Sequence, residues 1–552
     1  EINTNGHTLT LNSAITSLKA ENIYLAENEN DNSSSSSSSS ASNTGKLVAQ
    51  GVDVTSTNIL WVDNGKIEMG GGTLTLEKGG GLGNGEIDLS NSTLELAGPF
   101  INGGNLYYGG TLTTSASTLR LKANVLFLLG NAVTFNTYVP NGWGLLLYNN
   151  DNSSSTKSLT LGTNNDNITL EPSTNSLTSG FVRWYHDNNT EYESGNHDIG
   201  IESNNGSLTI NGNLTLKDNA TITSNYGEAE LGNLTLENGN IVANKATLSL
   251  AGGTVGTNGQ INVRNESELE LQGDLSVAGI LNLDNESIFK LAGNTLELSG
   301  GKFSTDDDLS LAGNLSITGD SELTVSQGHI LTLSQTGGLA LGANTLTLSG
   351  GGSLVSGGLT LDNASSKLLL NSITVDNVSS TSDSLGLDVD ANSTVTSLTV
   401  GHTTPVSIAS SRTLSGAITV TAGSIKLDEA GTLASTIAMS GGTLDADNSS
   451  TLSGTLTQAG NITIDVADDK TLTYSGDEIS LGAYTLTMSG GGRFSNSNAL
   501  ELNNASSKLL LSSITVDNVS TSLASLGLDV DANSTVTSLT VGHTTPVSIA
   551  SS

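Results

Sequence analysis

The residue types best suited to chemistry are gathered in one stretch, Arg183-Trp184-Tyr185-His186-Asp187-Asn188-Asn189-Thr190-Glu191-Tyr192, followed by His197 and Asp198. Aromatic faces beside carboxylates and amides suit a sugar. The rings of Trp184, Tyr185 and Tyr192 would cover the apolar face of a pyranose while His186 and Asp187 take its hydroxyls. Carbohydrate is therefore the ligand class that this stretch predicts. A packed surface loop of the same composition is the competing reading, because one linear cluster does not make a concave site.

A second chemistry is cation binding. Asp388-Val389-Asp390-Ala391-Asn392-Ser393 begins like a calcium loop, and Asp529, Asp531 and Asn533 repeat it. Serine stands at the sixth position, where an EF-hand needs glycine, and Thr399 at the twelfth, where it needs a bidentate glutamate. The motif predicts at most a shallow calcium site of low affinity, and otherwise a solvated acidic face. Gly80-Gly81-Leu82-Gly83-Asn84-Gly85 resembles the nonapeptide calcium repeat, but it lacks the aspartate and is not tandem.

Catalysis on a polysaccharide needs two or three acidic groups converging with an arginine or lysine. The chain has only Arg120, Arg183, Arg264, Arg412 and Arg493, and only the stretch around Arg183 mixes acids and bases outside the repeats. His402 and His543 are copies of one another, and a catalytic centre is seldom part of a tandem array. No enzyme is expected; a lyase or hydrolase is the reading held in reserve. The glycine runs lack the G-K-[ST] of a phosphate loop.

Charge narrows the partners. With 54 acidic against 19 basic residues the chain carries −35, which repels nucleic acid and anionic membrane surfaces. The absence of cysteine removes disulfides and thiolate metal sites and is compatible with folding outside the cell. No run of 18 apolar residues occurs, so no membrane insertion of this segment is expected.

The elements that must carry these residues are repetitive. Asp388–Ser411 recurs without change as Asp529–Ser552, 141 residues later, and Ala364–Leu370 matches Ala505–Leu511. The second unit stops where the first continues into Arg412, so the chain is expected to be a segment of a longer array. Within it, strand-like groups begin near Ser207, Glu228, Ala246, Glu268, Ser287, Asp308 and Ile330, about 20 residues apart, with two more such groups between successive starts. Three short strands per turn is the rhythm of a right-handed parallel β-helix.

In Asn-Leu-Thr-Leu and Gly-Thr-Leu-Thr-Leu the leucines point one way and the threonines the other. Stacked turns would line an apolar bore with leucine and present hydroxyls and amides outside, with glycine and asparagine at the corners. About 27 such turns at ~4.8 Å would reach roughly 130 Å. An antiparallel arrangement of hairpins is the alternative, but it would show domain-sized boundaries. The fold class expected is all-β, with an irregular region over 1–204, a regular solenoid over 205–330 and a duplicated solenoid over 331–552. Most aromatic residues, including Trp61, Trp143 and Trp184, and the serine tract Ser33–Ser40 fall in the first region, where loops and a cap are expected. Threonine pairs such as Thr8/Thr10, Thr73/Thr75, Thr345/Thr347 and Thr485/Thr487 are spaced too unevenly to stack into one flat face. Asn-x-Ser/Thr, as at Asn213, Asn314 and Asn392, arises where corner asparagines precede strand hydroxyls.

Segments such as Gly342–Gly352 (GANTLTLSGGG) and Leu296–Gly301 (LELSGG) make the chain resemble the passenger regions of bacterial autotransporters and filamentous-haemagglutinin-like exoproteins, closely over 200–552 and loosely before. The resemblance implies a secreted, extracellular, cell-surface protein with a structural or adhesive role. Self-association, head-to-tail or lateral, into fibres is the partner expectation, with glycan binding through the N-terminal loops as the alternative. At −35 per segment, lateral association is expected to need bridging by divalent ions.

Overall fold

The structure is a computed structural model and describes residues 1–4, 7–12, 14–25, 45–102, 110–149, 157–171, 200–284 and 286–549. Among these there is no helix, and every paired strand runs parallel to its neighbour; the one antiparallel contact is an isolated bridge between Ser326 and Gly351. The chain winds into a parallel β-solenoid with about 20 residues per turn and about 24 turns. Neighbouring strands therefore belong to successive turns, and the hairpin alternative fails. The chain divides into two compact units, Glu1–Asn294 and Thr295–Ser552.

A turn of the first unit shows how the sequence makes the coil. The strand Ser207–Leu216 bends where its register against Glu228–Leu236 shifts between Ile210 and Asn213, and Ala220–Asn225 supplies the third side. Alternation puts Leu208, Ile210, Leu214, Leu216 and Ile222 inside, each no more than 1 % exposed. Like then sits over like: Ile222, Ile241, Ile261 and Leu281 are successive partners. Each such side chain withdrawn from water contributes roughly 2 kcal/mol at most. Because every turn buries its own against the turns above and below, stability accumulates along the axis.

The same register makes ladders outside. Asn225 Nδ2 donates to Asn204 Oδ1 at 2.8 Å, Asn244 Nδ2 to Asn225 Oδ1 at 3.0 Å, and Asn265 Nδ2 to Asn244 Oδ1 at 2.7 Å. This chain of amides closes a corner that demands left-handed backbone at Asn205, Tyr226, Lys245 and Asn265, with φ of 55°, 56°, 50° and 57°. The ladder fixes the corner and offsets part of the cost of those conformations.

In the second unit, the sheet that carries Lys367–Asn371 passes through Gly386–Val389, Pro405–Ile408, Ser424–Leu427, Thr443–Ala446, Ile462–Val466 and Thr485–Ser489 before reaching Lys508–Leu511. Lys367 and Lys508 are equivalent residues of the duplicated sequence, so the 141-residue duplication is seven whole turns. A fractional number would have set the repeated strands on a different facet of the coil, out of line with the columns they copy. Both copies also keep glycine at one corner. Gly386 and Gly527 have φ of 99° and 103°, and a Cβ there would lie 2.1 Å from the carbonyl oxygen of Pro405 or Pro546.

Two outcomes test this account. Deleting 367–507, which joins Ser366 to Lys508, should leave the far-ultraviolet circular dichroism per residue and a single cooperative melt intact, whereas removing ten residues fewer should broaden the melt. Asn225→Ala strands the acceptor of Asn204 and the donor of Asn244, and should lower stability in urea by about 1 to 3 kcal/mol.

Candidate functional site

The aromatic cluster Trp184, Tyr185, His186, Asp187 and Tyr192 lies outside the described residues. The calcium-like motif is inside them. The strand Gly386–Val389 ends before Asp390, which opens the corner and is exposed. Asp388 is half-buried on the outer face and accepts Lys367 Nζ at 2.7 Å, and its copy Asp529 accepts Lys508 Nζ at 2.8 Å. Asn392 Oδ1 accepts the backbone N–H of Thr413 at 3.0 Å. Asp531 and Asn533 are exposed. The first carboxylate of each motif is thus neutralised by a lysine one turn earlier, and Asn392 braces a corner; nothing brings the six residues to one point. Among the described residues no group of three or more His, Asp or Glu side chains is arranged to hold a metal ion.

The lysine over a carboxylate is a general device here. Lys46 bridges to Glu68 at 2.8 Å, Lys66 to Glu86 at 2.9 Å, Lys302 to Glu322 at 3.0 Å and Lys426 to Asp447 at 2.5 Å, each about one turn apart. Such exposed pairs contribute little singly. Their effect is on the charge map: most of the bases among the described residues are engaged with carboxylates, which leaves a surplus of acid.

One ionic centre is buried, and the sequence reasoning did not find it. Glu95, 7 % exposed, sits on an outward position between Thr75 and Arg120. It accepts Lys122 Nζ at 2.6 Å, Thr75 Oγ1 at 2.9 Å and Arg120 Nη1 at 3.4 Å. Burial pushes its carboxyl up, but the lysine, threonine and arginine together outweigh it and hold the group below the ordinary 4.5. The spacing from Glu95 to Arg120 is 25 residues, well over the mean turn, which is why a 20-residue comb passed it by.

Glu95 has a counterpart of opposite tendency in the second unit. Asp445 lies directly against Asp465 on the next turn, with Asp447 beside it. Desolvation first, then Asp447 and Asp465, push the Asp445 carboxyl up, against the pull of Lys426. Like over like, which serves leucine and asparagine, here opposes stability.

An apolar row runs along the outer face of the first unit. Tyr24, Trp61, Gly81, Ile101, Leu128 and Tyr148 are successive partners, and the row continues into Asn204 and the amide ladder. Ile101 and Leu128 are only 2 % and 9 % exposed although they point away from the bore; Trp61, Leu146 and Tyr148 pack against them and Leu126. Gly81 makes this possible: a Cβ there would come 2.7 Å from Ile101 Cβ, so the gap lets Trp61 reach across. The sequence signal was the run Val125-Leu126-Phe127-Leu128, four apolar residues without alternation, which marks a strand covered on both faces. No family model matches the chain, and neither a curated protein nor a solved structure is significantly similar to it.

The two carboxylates predict opposite pH responses in the urea stability of the two units. Glu95, with its folded value depressed, contributes stability that is present above 4.5 and lost as pH falls below it through the folded value. Glu95→Gln should therefore destabilise near neutrality and flatten that acid decline. For Asp445, with its folded value raised above 3.8, stability is full below 3.8 and is lost as pH rises through the folded value. Asp445→Asn should accordingly stabilise near neutrality and do nothing in stronger acid.

Proposed function

We propose that this chain is an extracellular structural repeat protein, of the bacterial exoprotein kind that its sequence resembles, whose task is length: a rod or filament that holds something away from a cell surface. The observation that carries this reading is the seven-turn duplication. It re-creates the Lys367–Asp388 pair as Lys508–Asp529 and the Gly386 corner as Gly527, so it extends the solenoid by more of the same coil. A spacer gains from such an event, whereas a catalytic or single-ligand site gains nothing. Divalent cations, drawn to the surplus carboxylates, would lessen the repulsion between neighbouring filaments without being the contact between them.

The test is to display the protein on cells with 367–507 present or deleted and a tag at the outer end. Seven turns at ~4.8 Å should lower the tag by about 34 Å with expression unchanged. A height that does not track the number of turns sinks the spacer reading.

A second reading, a glycan-binding adhesin, draws support from the row of Tyr24, Trp61 and Tyr148 on the outer face of the first unit. The adjacent rings of Tyr24 and Trp61, with Tyr148 four turns along the same row from Trp61, suit the apolar faces of sugar units. Loss of binding to an immobilised polysaccharide in Trp61→Ala, with the protein still folded by circular dichroism at the temperature of the assay, is the outcome expected of it; equal binding by both proteins refutes it.

A further inference from the structure

One facet of the second unit differs from all its surroundings. The strands Ser393–Val400, Thr413–Val420, Thr432–Met439 and Leu456–Gln458 contain no charged residue. The neighbouring sheet of the same turns carries Asp388, Lys426, Asp445 and Asp465 on its outward positions. Along this facet Thr360, Ser379, Thr399, Thr419, Ala438 and Thr457 are successive partners over six turns; its one charge in these columns' strands is Asp376, near the edge, half-buried and held by the Ser356 hydroxyl and the N–H groups of Ser356 and Gly357. Beside them Asn377, Ser397, Ala417 and Thr436 form a second column. All ten are half-buried or exposed.

We infer that this facet is the surface through which two copies of the chain pack side by side. The inference rests on the self-associating fibre reading above and gives it a contact. Two molecules of −35 can approach closely only where neither presents charge. Short side chains let two sheet faces come together at ~10 Å, as flat small-residue faces do when sheets stack. Every hydroxyl both donates and accepts, so identical faces can satisfy one another when water leaves. Because both faces repeat at the turn spacing, the match is self-complementary about a two-fold axis. Six turns at ~4.8 Å by about 14 Å of strand bury about 400 Å² per copy, half of a standard interface, so a single contact is weak and gains strength by repetition along a filament.

The chain itself shows how the facet is ended. In the second copy the position of Thr360 is occupied by Glu501, which hydrogen-bonds Glu478. The fold therefore accepts a carboxylate at this point of the facet, and a charged substitution there tests packing between copies without threatening the coil.

Sedimentation velocity of the whole chain in excess chelator, at about 0.1 M and about 1 M salt, decides the matter. Wild type should associate more at high salt, as repulsion between the acidic flanks is screened. Thr360→Glu combined with Thr419→Glu should weaken association about tenfold or more, with circular dichroism unchanged. Thr419→Lys should weaken it too, although it lowers the net charge; if the lysine strengthens association, the contact is ionic and the inference falls. Ser407→Glu, on the neighbouring sheet, should behave as wild type. A wild-type chain that stays monomeric in chelator overturns the neutral facet while leaving the spacer reading, which is scored by height, untouched. Facet variants that associate like wild type also overturn it.

Discussion

Everything in this molecule depends on one translation: each turn repeats the last at the spacing of a parallel strand pair, so that every side chain meets the one at its own place in the next turn. Where the side chain is leucine or isoleucine, as at Ile222, Ile241 and Ile261, the stack is a core. Where it is asparagine, as from Asn204 to Asn265, the stack is a hydrogen-bonded ladder. Charge is the case that repetition handles badly. The solenoid manages it by setting a lysine one turn from a glutamate or aspartate, and Asp445 against Asp465 shows the penalty where two carboxylates fall on successive turns.

The two faces of a strand obey different rules. Inside, volume and dryness are fixed by neighbours on all sides, and exchange among apolar residues of similar volume, as Ile261 for Leu281, is what the stack tolerates. Outside, the constraint is sideways, from turn to turn, and it differs from column to column. This is how one unit holds a charge-free facet beside a sheet that carries four charged positions on the same turns.

The parallel coil and its period of about 20 were legible because leucine alternates with hydroxyl residues and restarts at nearly equal intervals from Ser207 to Ile330. Turns of 25 residues, such as Glu95 to Arg120, broke the comb, and the ionic centre they build was missed. The neutral facet was missed for another reason. Its columns mix threonine, serine and alanine, so no threonine motif marks them, and only the register brings Ser397, Ala417 and Thr436 into line. The threonine pairs that do catch the eye do not stack on each other: Thr347 lies against Glu322 and Leu369. In the calcium-like motif, spacing along the chain says nothing of the lysine one turn away that pairs with its first carboxylate, Asp388.

Duplication by whole turns also has a hereditary side. Two near-identical copies in one gene are substrates for unequal exchange, and an exchange between them joins equivalent residues, so that Ser366 is succeeded by Lys508 as it was by Lys367. Such an event adds or removes seven turns at once and leaves the apolar bore, the Gly386 and Gly527 corners and the lysine bridges in phase. The number of turns can therefore change in discrete steps that keep the coil in phase, with no intermediate in which the stacking is broken.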